Sequence, residues 1–258
     1  MNSINIPPAS ASKVDVPVAD YETLASHYYD EARHPTCAAL RAASKSMICE
    51  LLDGVAIGRT VVELGAGKAL APECLAGWRS EKYRIILLDS SPTMLAHSER
   101  YRTDGAELRI GEAARTGLPD GTADLVLSSL GDPYNTAELW REIRRLLVPG
   151  GLAVFTTPSW EWSSRFRPGG QMAAPNSSEF MTPEGTAVAV PSFILDRRHQ
   201  TALIGAAGLA VVTCTGRNRM EIPEAARAPK LAYISEDMPF AAGYLVQNPE
   251  APGHQNDL

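Results

Sequence analysis

Clustered positive charge, long apolar runs and paired cysteines are all missing from this chain. Its 24 Lys and Arg are outnumbered by 30 Asp and Glu, for a formal charge of -6 and a pI near 5.4. Gripping a phosphate backbone without regard to sequence draws on clustered Lys and Arg, so that function is not expected. The four cysteines, Cys37, Cys49, Cys74 and Cys214, show no C-x-x-C and no histidine at metal-ligand spacing. Neither a metal site nor a disulfide framework is expected; they read as reduced thiols of a cytoplasmic protein. No apolar run approaches the length of a membrane span, and MNSINIPPASASKVDVPVAD lacks a charged region followed by an apolar stretch. A soluble protein without membrane anchor or secretory signal is therefore expected. There is no internal repeat.

What is present suits one principal domain. The chain has 258 residues, 45% of them hydrophobic, enough for a sizeable core. Residues 1–18, rich in Pro, Ser and Ala, read as a flexible leader and 249–258 as a flexible tail, leaving 19–248 as a single domain. From Tyr21 to Asp53 the apolar spacing is helical, broken at His34-Pro35. Short Val-, Ile- and Leu-rich runs follow at Thr60–Leu64, Arg84–Leu88, Glu107–Ile110, Leu125–Ser128 and Leu152–Thr156, each patterned as a strand buried on both faces. Helices are expected from Ser91-Pro92 to about Tyr101, from Thr136 through Leu147 to a stop at Pro149-Gly150-Gly151, and from Asp196 to Ala207. Two more strands are expected near Leu209–Thr213 and Ala242–Gln247. Such alternation implies an α/β, doubly wound sheet whose ligand sits at the carboxyl ends of the strands.

The first of those ends reads VVELGAGKAL, a strand that stops at an acid and turns through Gly65 and Gly67. A dinucleotide fingerprint requires Gly or Ala where this chain has Leu70, which weakens that reading and with it a nicotinamide oxidoreductase. Glu63 ahead of the turn repels a pyrophosphate but favours a ligand carrying an ammonium or sulfonium charge.

VVELGAGKAL, IILLDSSPTML, GLPDGTADLVLSS and LWREIRRLLVPGGLAVFTTPS, in this order over about Thr60 to Ser159, resemble the motifs of class I S-adenosylmethionine-dependent methyltransferases. The resemblance implies a mostly parallel seven-stranded sheet, N-terminal helices forming a lid (19–53), a cap insertion after the fifth strand (160–192), and S-adenosyl-L-methionine as cofactor with S-adenosyl-L-homocysteine as product. By the same resemblance Asp89 receives the ribose hydroxyls. Gly65, Ala66 and Gly67 let the main chain approach the nucleoside and methionine portion, which Glu63 and Ser129 help to orient. Ser90 flanks the adenosine, Glu112 and Ala113 meet the adenine, and Tyr28 of the lid touches the ligand.

A sulfonium already carries an activated methyl group, so alignment and exclusion of water can supply much of the rate, and a base is needed only where the acceptor must lose a proton. SSLGDPYN partly resembles the N/D-P-P-Y motif of amino-group methyltransferases, lacking its second proline and starting three residues late. It offers Asp132 and Tyr134 as catalytic candidates beside His27. In the insertion, Trp160 and Trp162 can wall a planar or cationic acceptor, and Arg165 and Arg167 can meet a carboxylate or phosphate. FMTPEGTAVAVPSF reads as a small hairpin. The expected function is methyl transfer to an oxygen or nitrogen of a small-molecule metabolite or natural product. The alternatives are an RNA or protein methyltransferase, for which Arg217, Arg219, Arg227 and Lys230 would have to form a basic stripe, and a non-catalytic cofactor-binding regulatory subunit. Oligomeric state is left open.

Overall fold

The computed structural model describes residues 19–77, 82–166 and 177–250. The leader at 1–18, Arg167 and most of the tail lie outside the described residues. Seven strands, β1 (Thr60–Leu64), β2 (Arg84–Asp89), β3 (Glu107–Ile110), β4 (Ala123–Ser128), β5 (Leu147–Pro158), β8 (Ala210–Asn218) and β9 (Pro239–Gln247), form one sheet in the order β3-β2-β1-β4-β5-β9-β8. The β3-β2-β1-β4-β5 run is parallel, and β9 is antiparallel to both of its neighbours. A separate hairpin, β6 (Ser177–Met181) with β7 (Ala187–Pro191), lies within the expected insertion.

Alternation along the strands builds a core on each face. Val61, Leu87, Leu125 and Leu127 bury one side with Ile48 and Leu51, while Val62, Leu64, Ile86 and Val126 bury the other with Trp140 and Phe155. The helices are α1 (Tyr21–Leu24), α2 (Pro35–Leu51), α3 (Ala71–Cys74), α4 (Pro92–Ala96), α5 (Ala137–Leu146), α6 (Trp160–Ser163) and α7 (Arg197–Ala206). Side chains at the expected places cap them: Ser91 accepts from the Met94 amide, Thr136 from Leu139 and Asp196 from His199.

Four expectations are corrected. Tyr21 to Asp53 is not two full helices: α1 has one turn and a chain of turns leads to α2. The helix after β2 ends at Ala96, because Ser98 turns inward to donate to the Gly67 carbonyl (2.6 Å) and accept from the Ala69 amide (2.8 Å). α5 stops at Leu146, since Leu147 is already extended and pairs with Ala123, and Pro149 disfavours helix in the residue before it. β8 and β9 run longer than their apolar segments, each supported by the other's ladder.

Lid and cap form one roof. Leu24 packs with Val188 and Val190, joined by Tyr21, Tyr28 and Phe180, and the Ala19 amide donates to the Ala189 carbonyl at 2.8 Å. The Glu22 carboxylate ties this roof to the start of α4 by accepting from the Ser91 and Thr93 hydroxyls. β1 feeds toward β2 on one side and has β4 on the other, so strand order reverses between β1 and β4. A crevice opens there at the carboxyl ends.

Candidate active site

The turn after β1 is the floor of that crevice. Gly65 has φ +62° and Gly67 φ +42°, backbone angles that side chains resist. Two phenols use the space: a Cβ at Gly65 would lie 2.0 Å from the Tyr134 hydroxyl oxygen and one at Gly67 2.3 Å from that of Tyr29. The Tyr134 hydroxyl donates to the Leu64 carbonyl (2.9 Å), and the Lys68 amide donates to the Tyr29 oxygen (2.8 Å).

Glu63 holds the turn from behind. Its carboxylate accepts from the Leu70 amide (2.9 Å) and the Ala71 amide (2.8 Å). Burial pushes its pKa up to about 7 against the pull of those amides. It does not line the cavity, which corrects its expected place beside the methionine end: its lone pairs serve the first amides of α3. Asp89 is arranged differently. It is buried, accepts from the Gly67 and Ser91 amides at 2.9 Å each, one per oxygen, and faces the cavity. Each oxygen keeps lone-pair capacity for a further donor. Burial raises its pKa despite both amides.

The cavity measures about 310 Å³ and brings together Gly65, Ala66, Asp89, Ser90, Glu112, Ala113, Ser129, Tyr28 and Tyr134 from the expected set. Gly67 stands beneath it, its amide given to Asp89. Ser129 Oγ lies 2.8 Å from Ser44 Oγ, which in turn lies 2.7 Å from Thr156 Oγ1. Thr156 Oγ1 also accepts from the amide of Leu130, whose φ of +50° is left-handed; the residue lines the cavity. Backbone strain at that point is held by the neighbouring hydroxyls.

Other expected residues lie off the wall. Asp132 is buried, its carboxylate accepting from the Ser192 hydroxyl and its carbonyl from the Phe193 amide (2.7 Å), so it pins the chain returning from the cap. His27 stands behind His34: Nδ1 of His27 and Nε2 of His34 are 2.9 Å apart, and His34 is the ring that lines the cavity. Burial, then the neighbouring His27, holds the His34 pKa below the ordinary histidine value. Trp160, Trp162 and Arg165 do not reach the cavity. Trp162 packs against Ala39, Ala43, Met47 and Phe240, and Arg165 is exposed. Of the four residues that a basic stripe would need, Arg217 is buried against Glu50 and Arg219 pairs with Glu236 at 3.1 Å.

Sequence reasoning missed the α2 face. Cys37, Arg41 and Lys45 line the cavity at spacings of four, the helical repeat that could have shown it. Among the described residues no group of three or more His, Cys, Asp and Glu side chains is placed to hold a metal ion, and no helix is long and apolar enough to cross a membrane.

Sheet order, glycine turn and the acid closing β2 define the class I S-adenosylmethionine-dependent methyltransferase fold. Residues 62–155 match the methyltransferase domain family. The chain is 33% identical over 125 residues, 45% of its length, to an uncharacterized 37.1 kDa protein in transposon TN4556 of Streptomyces fradiae. It is 36% identical over 103 residues, 38% of its length, to a malonyl-[acyl-carrier protein] O-methyltransferase of Marinomonas sp. (strain MWYL1). These matches span 35% and 38% of the two relatives. Among solved structures, an S-adenosylmethionine dependent methyltransferase from Mesorhizobium loti superposes with a TM-score of 0.55 at 21% identity, covering 81% of this chain and 99% of that one. The residues present fit the cofactor: Asp89 has acceptor capacity for two ribose hydroxyls, and the turn offers close main-chain approach at Gly65.

Proposed function

We propose that this protein is a cytoplasmic enzyme that methylates an oxygen or nitrogen of a small molecule, with Asp89, Ala113 and the Gly65–Gly67 turn holding the nucleoside. The observation that carries the reading is the cavity itself, which joins the glycine turn, Tyr134 and Asp89 to an aromatic roof of Tyr21 and Tyr28. Bound S-adenosylmethionine supplies an activated methyl group on a sulfonium. The chain's own contribution is to align the acceptor and exclude water, which the roof does by closing over the strand ends. A cavity of this size suits a small acceptor, and Arg217 and Arg219 are each engaged by an acid of the chain itself rather than left for a polymer. The name of the Marinomonas relative favours oxygen. Where the acceptor must lose a proton, His34 is the cavity-lining base, neutral at neutral pH because its pKa is depressed, with His27 behind it to pass the proton outward.

Isothermal titration calorimetry with S-adenosylhomocysteine and NAD tests the reading. Micromolar binding of S-adenosylhomocysteine, weakened severely by Asp89→Ala, and no binding of NAD are expected; acceptors are then screened with a labelled methyl donor. Folded protein that does not bind S-adenosylhomocysteine overturns it.

A further inference from the structure

We infer that Cys49 and Cys74 form a redox-reactive pair whose two thiols close a disulfide that fastens α2 to α3 beside the cavity. All four cysteines are free, but they are not placed alike. Cys37 lines the cavity near the start of α2, and Cys214 of β8 packs with the core face that holds Tyr244. Cys49 and Cys74, 25 positions apart in sequence (74 minus 49), meet where α3 lies against the last turns of α2.

Two contacts fix that meeting. The Cys74 thiol lies against the backbone of α2, its Sγ 3.8 Å from the Lys45 carbonyl oxygen. Cys49 stands one helical turn beyond Lys45 on the same helix, and its side chain reaches the Cys74 thiol directly. A disulfide needs β-carbons about 4 Å apart, a separation that two thiols in contact already approach. Glu73, the residue before Cys74, also holds α2 by accepting from Arg41 at 3.1 Å and Lys45 at 2.9 Å. The reduced protein therefore keeps the two thiols together, and little backbone movement is needed to close the bond.

Cys49 is exposed and Cys74 half-buried. Burial, then the contact with Cys49, pushes the Cys74 thiol up, so Cys49 is the thiol that meets an oxidant first. With oxidised glutathione, a small-molecule disulfide, the Cys49 thiolate attacks one sulfur, the S–S bond breaks, and the first glutathione leaves as a thiolate that takes up the proton Cys49 gave up. Cys74, once deprotonated, attacks Cys49 Sγ; the mixed disulfide breaks and the second glutathione leaves with the proton of Cys74. The cysteines lose two electrons and the glutathione disulfide gains them. Proximity offsets the small thiolate fraction of Cys74, and its high pKa makes the thiolate that does form the stronger nucleophile. Reduced glutathione reverses the exchange, as in the transient redox disulfides of reducing compartments.

The test equilibrates the full chain with mixtures of reduced and oxidised glutathione, both native and in urea, alkylates the remaining thiols with N-ethylmaleimide, and reads intact mass and peptide maps. Native protein should yield a linked Cys49–Cys74 peptide with the two thiols protected together. A bond that stabilises the fold is stabilised by the fold to the same extent, so its equilibrium constant should be about 30- to 700-fold larger in native protein than in urea. The oxidised protein should also melt about 5–10 °C above the reduced one. Cys49→Ser, a change at an exposed position, should abolish both effects, and Cys37→Ser should leave both in place. Equal constants in native and unfolded chains would overturn the inference. So would a glutathione adduct that stays on Cys49 of the native protein, or a linked peptide that joins Cys37 or Cys214 instead. The bond needs no bound ligand, so its failure to form would leave the proposed function standing.

Discussion

Replacing Gly65 by alanine sets two separable costs against each other. The first is backbone: at φ +62° an alanine pays about 1–2 kcal/mol for the left-handed conformation, whatever surrounds it. The second is contact, because the new Cβ would lie 2.0 Å from the Tyr134 hydroxyl oxygen and 2.6 Å from its ring carbon Cζ. Tyr134 has to swing away, giving up its bond to the Leu64 carbonyl, at a cost of about 1–3 kcal/mol typical of overpacking. A leucine at 134 lacks all three atoms that Cβ meets, so Gly65→Ala in a Tyr134→Leu background should cost the backbone part alone. Urea denaturation of the two single variants, the double variant and wild type measures the difference. Coupling of about 1–3 kcal/mol is expected. Coupling below about 0.5 kcal/mol would refute the idea that the glycine is there to admit Tyr134 as well as to turn the chain.

Three further outcomes follow from buried groups. Glu63 has a folded-state pKa near 7, above its unfolded value, so its contribution to stability is complete below the unfolded value and is lost as pH rises through about 7. The difference in urea stability between wild type and Glu63→Gln should therefore change by about 3 kcal/mol between pH 5 and 8, and a pH-independent difference would contradict the burial argument. His34 has the opposite sign: its pKa is depressed, so stability present above the unfolded histidine value is lost as pH falls through the folded one. An NMR titration placing the His34 midpoint at or above the ordinary value would count against it. Trp162→Ala should destabilise by about 3–5 kcal/mol as a core deletion while leaving S-adenosylhomocysteine affinity of the folded protein within about twofold. A large affinity loss would return Trp162 to the site.

Local chemistry determined much of this protein. β1, β2 and β4 could be read from their apolar runs because a parallel sheet buries both faces of its inner strands, whereas β3, expected to be buried on both faces, is a half-buried edge strand with Ile110 exposed. Asp89 and the glycine turn could be read because their roles depend on short-range geometry, an acid at a strand end and backbone angles that only glycine adopts freely. Side chains whose partners are remote in sequence could not be read in that way. Glu63 and Asp132 both look like active-site acids until Glu63 is seen bonded to the Leu70 and Ala71 amides and Asp132 to Ser192. Trp162 resembles an acceptor wall until α6 lays it under α2. The ring facing the cavity is His34 and not His27, and the cationic face is Arg41 and Lys45 of α2 rather than an arginine of the insertion. The sequence by itself determined where β1 to β4 end and where a nucleoside can approach the main chain. Only the tertiary structure decided which charged and aromatic side chains face that space, because facing is set by how α2 and the roof pack across the sheet.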